Sequence, residues 1–341
     1  MQKPIRVLVV DDSLVSREII VRGISSDPQI EVAAVAANPY EARDRIIEVR
    51  PHVIVCDVEM PKMNGIEFVR QLLPQYYVPV IMISAVSKAV FEAMEAGAVD
   101  FAVKPDIRSA KGTETFIKEL IQKIKTGVTA KAVRPGTGKV IAKVPEGMAR
   151  KAAHMIAIGA STGGTEAIYS ILRSLPPTLP GIVIVQHIPP VFSKMYAQRL
   201  DQQTPLQVKE AESGDYIVPG RVLIAPGDMH MKVKKSGSSY QVLCFQGEKV
   251  NGHCPSVDVL FESVAKETAG SAVGVLLTGM GYDGAKGLLT MRQKGCKTIG
   301  QDEASSIVYG MPKVAYDVGA VELQSALENI PQILLNYFPG R

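Results

Sequence analysis

The sequence predicts an α/β protein built from two doubly wound domains, each with a parallel sheet. A length of 341 residues suits two domains of ordinary size. In both halves, short apolar runs alternate with longer segments of helical periodicity, which is typical of βαβ units. Between the halves, residues 126–150 are rich in turn formers and poor in apolar periodicity. We therefore expect domains at 1–125 and 151–341, joined by a linker at 126–150.

The composition is that of an ordinary globular protein, with 46% hydrophobic and 21% charged residues. No apolar run approaches the ~18 residues of a membrane span, so we expect no membrane insertion. The four cysteines have no CxxC spacing, which favours free thiols over a disulfide framework or a zinc site. Together with an N-terminus that lacks a secretory signal, this predicts a cytoplasmic protein.

The net charge of +4 does not indicate nucleic-acid binding. Residues 126–151 contain six Lys or Arg residues and one Glu, so the excess positive charge lies in the predicted linker and the residue that follows it. The remainder of the chain is close to neutral, and a basic face on a folded domain is not required. No nucleic-acid partner is expected.

The first half alternates five strands with five helices, a (βα)5 arrangement. We expect its first helix to begin near Ser13 and its last to end near Lys125. The five apolar runs predicted as strands are Ile5–Val10, Val32–Ala36, Val53–Cys56, Val80–Ser84 and Phe101–Val103.

Polar side chains follow the predicted strands of this half. The carboxyl ends of parallel strands meet at one edge of a sheet, and here they bring together Asp11, Asp12, Asp57, Ser84 and Lys104. Any one of these acids alone is more often a solvated or capping residue. Three neighbouring carboxylates repel one another, however, and a hard divalent cation such as Mg²⁺ relieves that repulsion. The set predicts phosphoryl transfer to a carboxylate, with the lysine and the hydroxyl contacting the transferred group.

With these residues, segment 1–125 resembles the receiver domain of bacterial two-component response regulators. The matching strings are Val9–Ser13, Cys56–Pro61, Ser84–Ala85 and Val103–Pro105. The resemblance implies that a sensor histidine kinase phosphorylates Asp57. It also implies an Mg²⁺ site and a phospho-switch. The implied metal ligands are Asp11, Asp12, Asp57 and the backbone carbonyl of Glu59, and the implied switch residues are Ser84, Phe101 and Lys104.

The second half repeats the α/β pattern. Its apolar runs, predicted as strands, are Met155–Ile158, Ile182–Val185, Val222–Ala225, Val242–Phe245 and Val273–Leu277. Segments with helical spacing lie between them, at Thr165–Leu175, Phe192–Leu200, Ser256–Thr268 and Gly284–Gln293.

A serine on a tight glycine-bounded turn follows the first of these strands. Ser161, in Gly159–Gly164, stands between a strand and a helix, where a hydroxyl is exposed and helix-start N–H groups stabilise an oxyanion. Such turns also bind phosphates. Among five histidines, His187 is the best general base because it directly follows a strand. His230 and His253 are expected in loops, as surface or substrate contacts.

Asp283 completes the set as a carboxylate that orients the histidine. It follows the strand Val273–Leu277, although a helix N-cap is an alternative role for it. The chain order Ser, His, Asp differs from the Ser, Asp/Glu, His order of α/β-hydrolases. The serine site therefore belongs to a separate lineage.

Residues 155–321 resemble the catalytic domain of the chemotaxis protein-glutamate methylesterase (CheB) family. The strings that carry this resemblance are Ile156–Ala167, Gln186–Pro190, Ile224–Asp228, Pro255–Phe261, Leu277–Gly284 and Tyr309–Pro312. It implies a Rossmann-like domain without a cofactor, with Ser161 as nucleophile, His187 as base, Asp283 as its partner and the N–H of Met280 as an oxyanion donor. The implied substrates are methyl-accepting chemotaxis receptors.

Two alternatives to the methylesterase activity stay open at this point. The same chemistry would deamidate receptor glutamines, and a response regulator with a non-catalytic output domain is a further hypothesis. The family often has arginines where Gly252 and Cys254 stand here, so contacts to the substrate carboxylates are expected to differ.

Overall fold

The computed structural model describes residues 3–85, 87–105, 109–131 and 155–338. The chain divides into two compact units, Met1–Ala132 and Val133–Arg341, and each is described by itself. Most of the predicted linker, residues 132–150, lies outside the described residues. The domain boundaries stay a prediction.

The first unit is a five-stranded parallel sheet flanked by helices, which confirms the predicted (βα)5 arrangement. The strand order is β2-β1-β3-β4-β5. Its elements are β1 (Ile5–Val10), α1 (Leu14–Ile24), β2 (Ile30–Ala36), α2 (Pro39–Val49), β3 (Val53–Asp57), α3 (Gly65–Leu72), β4 (Val80–Ser84), α4 (Ser87–Glu95), β5 (Asp100–Val103) and α5 (Ala110–Gly127).

Local sequence explains where these helices begin. Four of them start at a Ser or Asn whose side chain accepts a hydrogen bond from a backbone N–H of the first turn, at Ser13, Asn38, Asn64 and Ser109. Strands β3 and β4 are buried along their whole length, as expected for central strands covered on both faces. Helix α5 continues two residues past the predicted end at Lys125.

The second unit has a seven-stranded parallel sheet in the order β14-β13-β12-β6-β7-β9-β8, with a separate two-stranded hairpin, β10-β11. Its strands are β6 (Met155–Ala160), β7 (Gly181–Gln186), β8 (Gln207–Glu210), β9 (Arg221–Ile224), β10 (His230–Ser236), β11 (Ser239–Phe245), β12 (Ala272–Leu276), β13 (Lys297–Gln301) and β14 (Leu323–Ser325). Its helices are α6 (Gly164–Leu172), α7 (Phe192–Gln203), α8 (Val257–Thr268), α9 (Ala285–Gln293), α10 (Met311–Asp317) and α11 (Ile330–Tyr337), and a 3₁₀ turn occupies Leu327–Asn329.

The second unit differs from the sequence prediction in its hairpin, in four strands and in two helices, α10 and α11, that were not predicted. The run Val242–Phe245 belongs to the antiparallel hairpin and not to the main sheet. Strands β8, β10, β13 and β14 were not predicted because they are short or mix charged with apolar residues, as in β10, which carries Lys232, Lys234 and Lys235. His230 is consequently the first residue of a strand and is buried, where a loop position was expected.

The sheet order determines which loops meet. Strand β6 lies between β7 and β12 and pairs with both in parallel register. The loops that follow these three strands therefore leave the sheet side by side at its carboxyl edge. Among the residues that the structure describes, no helix combines the length and apolar character that crossing a bilayer demands.

Candidate active site

In the first unit, two buried aspartates and a partly buried lysine form a compact cluster at the carboxyl ends of β1, β3 and β5. The Nζ atom of Lys104 lies 2.6 Å from Oδ2 of Asp57 and 2.8 Å from Oδ2 of Asp11. Asp12 is exposed, and its carboxylate lies within 4.8 Å of the other two. The structure thus brings together the four charged residues that the sequence pattern placed at the strand ends.

The electrostatics of this cluster favour an added positive charge. Burial raises the pKa of Asp57 to about 6, although the hydrogen bond and charge of Lys104 lower it. Oδ1 of Asp57 is buried and has no hydrogen-bond partner. A buried carboxylate oxygen without a partner, next to two more carboxylates, fits an oxygen-coordinated divalent cation.

The remaining predicted residues of this unit surround the cluster. Ser84 is buried at the end of β4, and its carbonyl oxygen accepts a hydrogen bond from the N–H of Lys104 at 3.0 Å. Phe101 is buried on β5 and packs edge-on against Phe91, with ring centroids 6.5 Å apart. Glu59 follows the end of β3 two residues after Asp57, and its backbone lowers the pKa of that carboxylate.

In the second unit, Ser161 follows β6 on a turn that only small residues allow. Gly163 has φ of +76°, in the left-handed region that glycine adopts readily. The N–H of Ser161 donates to the carbonyl of Thr278 at 3.0 Å, and Gln186 Nε2 donates to the carbonyl of Ser161 at 2.9 Å. The Ser161 turn is therefore connected to the ends of both neighbouring strands.

His187, the first residue after β7, pairs with Asp283. The Nε2 atom of its ring lies 2.9 Å from Oδ2 of the carboxylate, and the two side chains are 9% and 0% exposed. Nδ1 of the ring is buried and has no hydrogen-bond partner. With Nε2 engaged by a carboxylate, the proton resides on Nε2 and Nδ1 keeps the lone pair. The nitrogen that is free to act as a base is therefore Nδ1.

The carboxylate of Asp283 is enclosed by hydrogen-bond donors from the segment that opens α8. Oδ1 accepts from Ser256 Oγ at 2.7 Å and from Asn251 Nδ2 at 2.8 Å. Oδ2 accepts from the N–H of Val257 at 2.7 Å. Asp283 was considered as an N-cap of the helix that follows it. Gly284 caps that helix instead, and Asp283 faces the start of α8.

These donors determine the charge state of Asp283. Burial alone would raise the pKa of the carboxyl group, but the hydrogen bond and charge of His187, with the donors from Asn251 and Ser256, hold it well below its usual range. The N-terminus of α8 adds a favourable helix-dipole contribution. Asp283 is therefore ionised at neutral pH and stabilises a proton on Nε2 of His187.

Two residues of this site, Asn251 and Ser256, were not predicted as site residues, and His253 was expected in a loop as a surface or substrate contact. All three come from the segment between β11 and α8, which shows no strand or helix periodicity that points to a site. The only signal available was that Ser256 lies within the string Pro255–Phe261 and that Asn251 and His253 lie just before it. Met280 lies on the loop after β12 with an exposed side chain, and its role as an oxyanion donor stays a prediction.

Together the two units define a class of protein. One unit is a phospho-acceptor domain of the receiver type, and the other is an α/β domain that carries a serine, a histidine and an aspartate at the carboxyl edge of its sheet. The response regulator receiver domain family matches residues 7–111, and the CheB methylesterase family matches residues 156–334. The chain belongs to the CheB methylesterase family.

Relatives of the same length support this assignment. The protein-glutamate methylesterase/protein-glutamine glutaminase 2 of Syntrophomonas wolfei is 54% identical over 331 residues, which cover 97% of this chain and 96% of the relative. The corresponding protein of Salmonella choleraesuis is 43% identical, over 97% of this chain and 96% of its own length. The CheB methylesterase catalytic domain of Thermotoga maritima aligns with a TM-score of 0.53 at 37% identity, covering 54% of this chain and 98% of that structure.

Proposed function

We propose that this protein is a phosphorylation-regulated serine esterase that hydrolyses glutamate methyl esters on chemotaxis receptors and releases methanol. The observation that carries the proposal is the buried hydrogen bond between His187 and Asp283, at the same sheet edge as Ser161. A histidine oriented by a carboxylate is the group that activates a serine hydroxyl for acyl transfer, and Ser161 follows the neighbouring strand of the same sheet.

The chemistry follows from the nitrogen that is free. Nδ1 of His187 takes the proton of Ser161 as Oγ attacks the ester carbonyl, and Asp283 stabilises the imidazolium that results. The methoxide then leaves with that proton, and a water molecule, deprotonated by the same nitrogen, hydrolyses the acyl-enzyme. The N–H of Met280 is proposed as a donor to the oxyanion, where one such donor contributes roughly 10²–10³ in rate.

Control is proposed to come from the receiver unit. A sensor histidine kinase donates a phosphoryl group to Asp57, whose carboxylate is held by Lys104. Asp11, Asp12, Asp57 and the carbonyl of Glu59 would hold Mg²⁺, which balances the charge of the phosphoryl group. Ser84 and Phe101 then respond to the phosphorylated state as switch residues. A cytoplasmic location is part of the same proposal, because four free cysteines suit a reducing compartment.

A second activity, deamidation of receptor glutamines, uses the same acyl-enzyme and releases ammonia in place of methanol. The names of the relatives include a protein-glutamine glutaminase activity, which favours this addition. Ammonia release from unmodified receptors, measured beside methanol release from methylated ones, separates the two activities. A purely non-catalytic output domain is disfavoured because the His187–Asp283 pair is intact.

The test is methanol release from methylated receptors by the full-length protein. Ser161→Ala is expected to lower the rate to background, whereas Ser238→Ala, at an exposed turn of the β10-β11 hairpin, is expected to leave it unchanged. A small phosphoryl donor with Mg²⁺ is expected to raise the wild-type rate. Wild-type methanol release by Ser161→Ala would overturn the proposal.

A further inference from the structure

A second imidazole lies directly against the ring of His187. The rings of His187 and His253 are stacked, with centroids 3.7 Å apart and planes 6° from parallel. Nδ1 of His253, like Nδ1 of His187, is buried and has no hydrogen-bond partner. No hydrogen bond or ion pair of His187 other than the one to Asp283 holds its ring among the described residues. The stacked ring is thus a further contact that constrains where the His187 ring lies.

A tight turn holds His253 in place. Val250 and His253 exchange two backbone hydrogen bonds, of 3.0 and 2.9 Å, across a turn in which Asn251 and Gly252 have positive φ. The side chain of Asn251 donates to both Asp283 and Asp258, at 2.8 and 2.7 Å. One short segment therefore supports the base from two sides, through the carboxylate that holds Nε2 and through the ring that covers one face.

The same three side chains are a donor set of the kind that binds Zn²⁺, with ligand atoms of His187, His253 and Asp283 within 4.8 Å of one another. The ring geometry argues against such a site. An imidazole nitrogen directs its lone pair in the plane of its ring, and two nearly parallel, stacked planes share no point where one ion accepts both lone pairs. In addition, both oxygens of Asp283 already accept hydrogen bonds from protein donors.

We infer that His253 is a positioning residue for the esterase reaction: its ring restricts rotation of the His187 imidazole and so fixes the direction of Nδ1, the nitrogen that the proposed mechanism uses as a base. This inference rests on the proposed function. A flat ring in stacking contact suits the role because it blocks rotation of a neighbouring ring without competing for its hydrogen bonds. Burial, and then the charge of His187, lower the pKa of His253 to about 4, so the covering ring is uncharged at neutral pH. An uncharged ring does not oppose the positive charge that His187 acquires during the reaction.

The experiment separates the ring from its nitrogen atoms in the full-length protein. His253→Phe retains a flat ring, His253→Leu fills a similar volume without one, and His253→Ala removes both. Methanol release is measured with kcat and KM determined separately, and folding is verified by urea unfolding. We expect His253→Ala and His253→Leu to lower kcat roughly ten- to hundredfold with KM nearly unchanged, since small displacements of a base have effects of this size. His253→Phe is expected to retain kcat within about threefold of wild type.

Three results would overturn the inference. A kcat of His253→Phe as low as that of His253→Ala would show that a nitrogen of His253 is required. A kcat of His253→Leu as high as that of His253→Phe would show that side-chain volume suffices. A change confined to KM would make His253 a substrate contact. The Leu variant keeps the test informative if Ala fails to fold. Ser161→Ala is assayed in parallel, so failure of this inference can be told apart from failure of the esterase proposal. If the esterase proposal is wrong, Ser161→Ala stays active. If only the inference about His253 is wrong, Ser161→Ala is inactive and the His253 variants alone depart from expectation.

Discussion

Asp283→Asn is the substitution for which the structure predicts the sharpest loss. The two carboxylate oxygens accept five hydrogen bonds, from Nε2 of His187, from Asn251, and from three donors at the start of α8. An asparagine has one oxygen and one NH₂ group. Whichever way the amide is turned, the NH₂ group faces at least two donors.

The less costly orientation points the oxygen at the three donors that contact Oδ1 and the NH₂ group at His187 and the N–H of Val257. His187 then accepts at Nε2 and carries its proton on Nδ1, the nitrogen that the mechanism needs as a base. Loss of the correct tautomer lowers kcat by about 10³–10⁴, equivalent to about 4–5.5 kcal/mol at 1.36 kcal/mol per tenfold. The buried N–H of Val257 also loses its acceptor, which costs about 1–3 kcal/mol of stability.

The assay is methanol release from methylated receptors, with urea unfolding of the same samples. Asp317→Asn is the matched control, because that residue is exposed and its ion pair with Lys313 lies at the surface, where such pairs contribute about 0–1 kcal/mol. We expect Asp317→Asn to behave as wild type. A folded Asp283→Asn protein within about tenfold of the wild-type rate would refute the tautomer argument.

Three further predictions follow from the contacts. Asn251→Asp places a third carboxylate beside Asp258 and Asp283. We expect the substitution to lower the free energy of unfolding, measured in urea titrations, by roughly 1–3 kcal/mol at pH 7 and by less at pH 5. A variant as stable as the wild type at pH 7 would contradict this. The pKa of His253 is lowered to about 4, first by burial and then by the charge of His187. Because the unfolded chain takes up a proton at this histidine at higher pH than the folded protein does, the free energy of unfolding of the wild type is expected to fall by up to about 3 kcal/mol between pH 6.5 and pH 4. His253→Phe is expected to lack this fall. A parallel decline in both proteins would contradict that sign. Asp57→Asn is expected to abolish stimulation of methanol release by a phosphoryl donor while retaining the basal rate; persistent stimulation would exclude Asp57 as the phospho-acceptor.

Much of the fold was accessible from the sequence because its signals are local. Apolar runs such as Val53–Cys56 and Ile182–Val185 are buried strands, and the alternation with helical segments implies parallel sheets. The prediction of strands failed at β13 and β14, which are short, lie near the sheet edge and contain polar residues. Burial there depends on the packing of α10 and the adjacent strands, and not on the periodicity of the strand itself.

What the sequence by itself determined is the set of strand ends at which chemistry takes place. Parallel topology sends Asp57 and Lys104 to one edge of the first sheet, and Ser161, His187 and Asp283 to one edge of the second. Only the tertiary structure decided which nitrogen of His187 is free, that Asp283 faces the start of α8, and that His253 covers the base. The physical reason is that these contacts join irregular segments far apart in sequence. Their geometry arises from helix ends and loops packing together, and no periodic pattern encodes it.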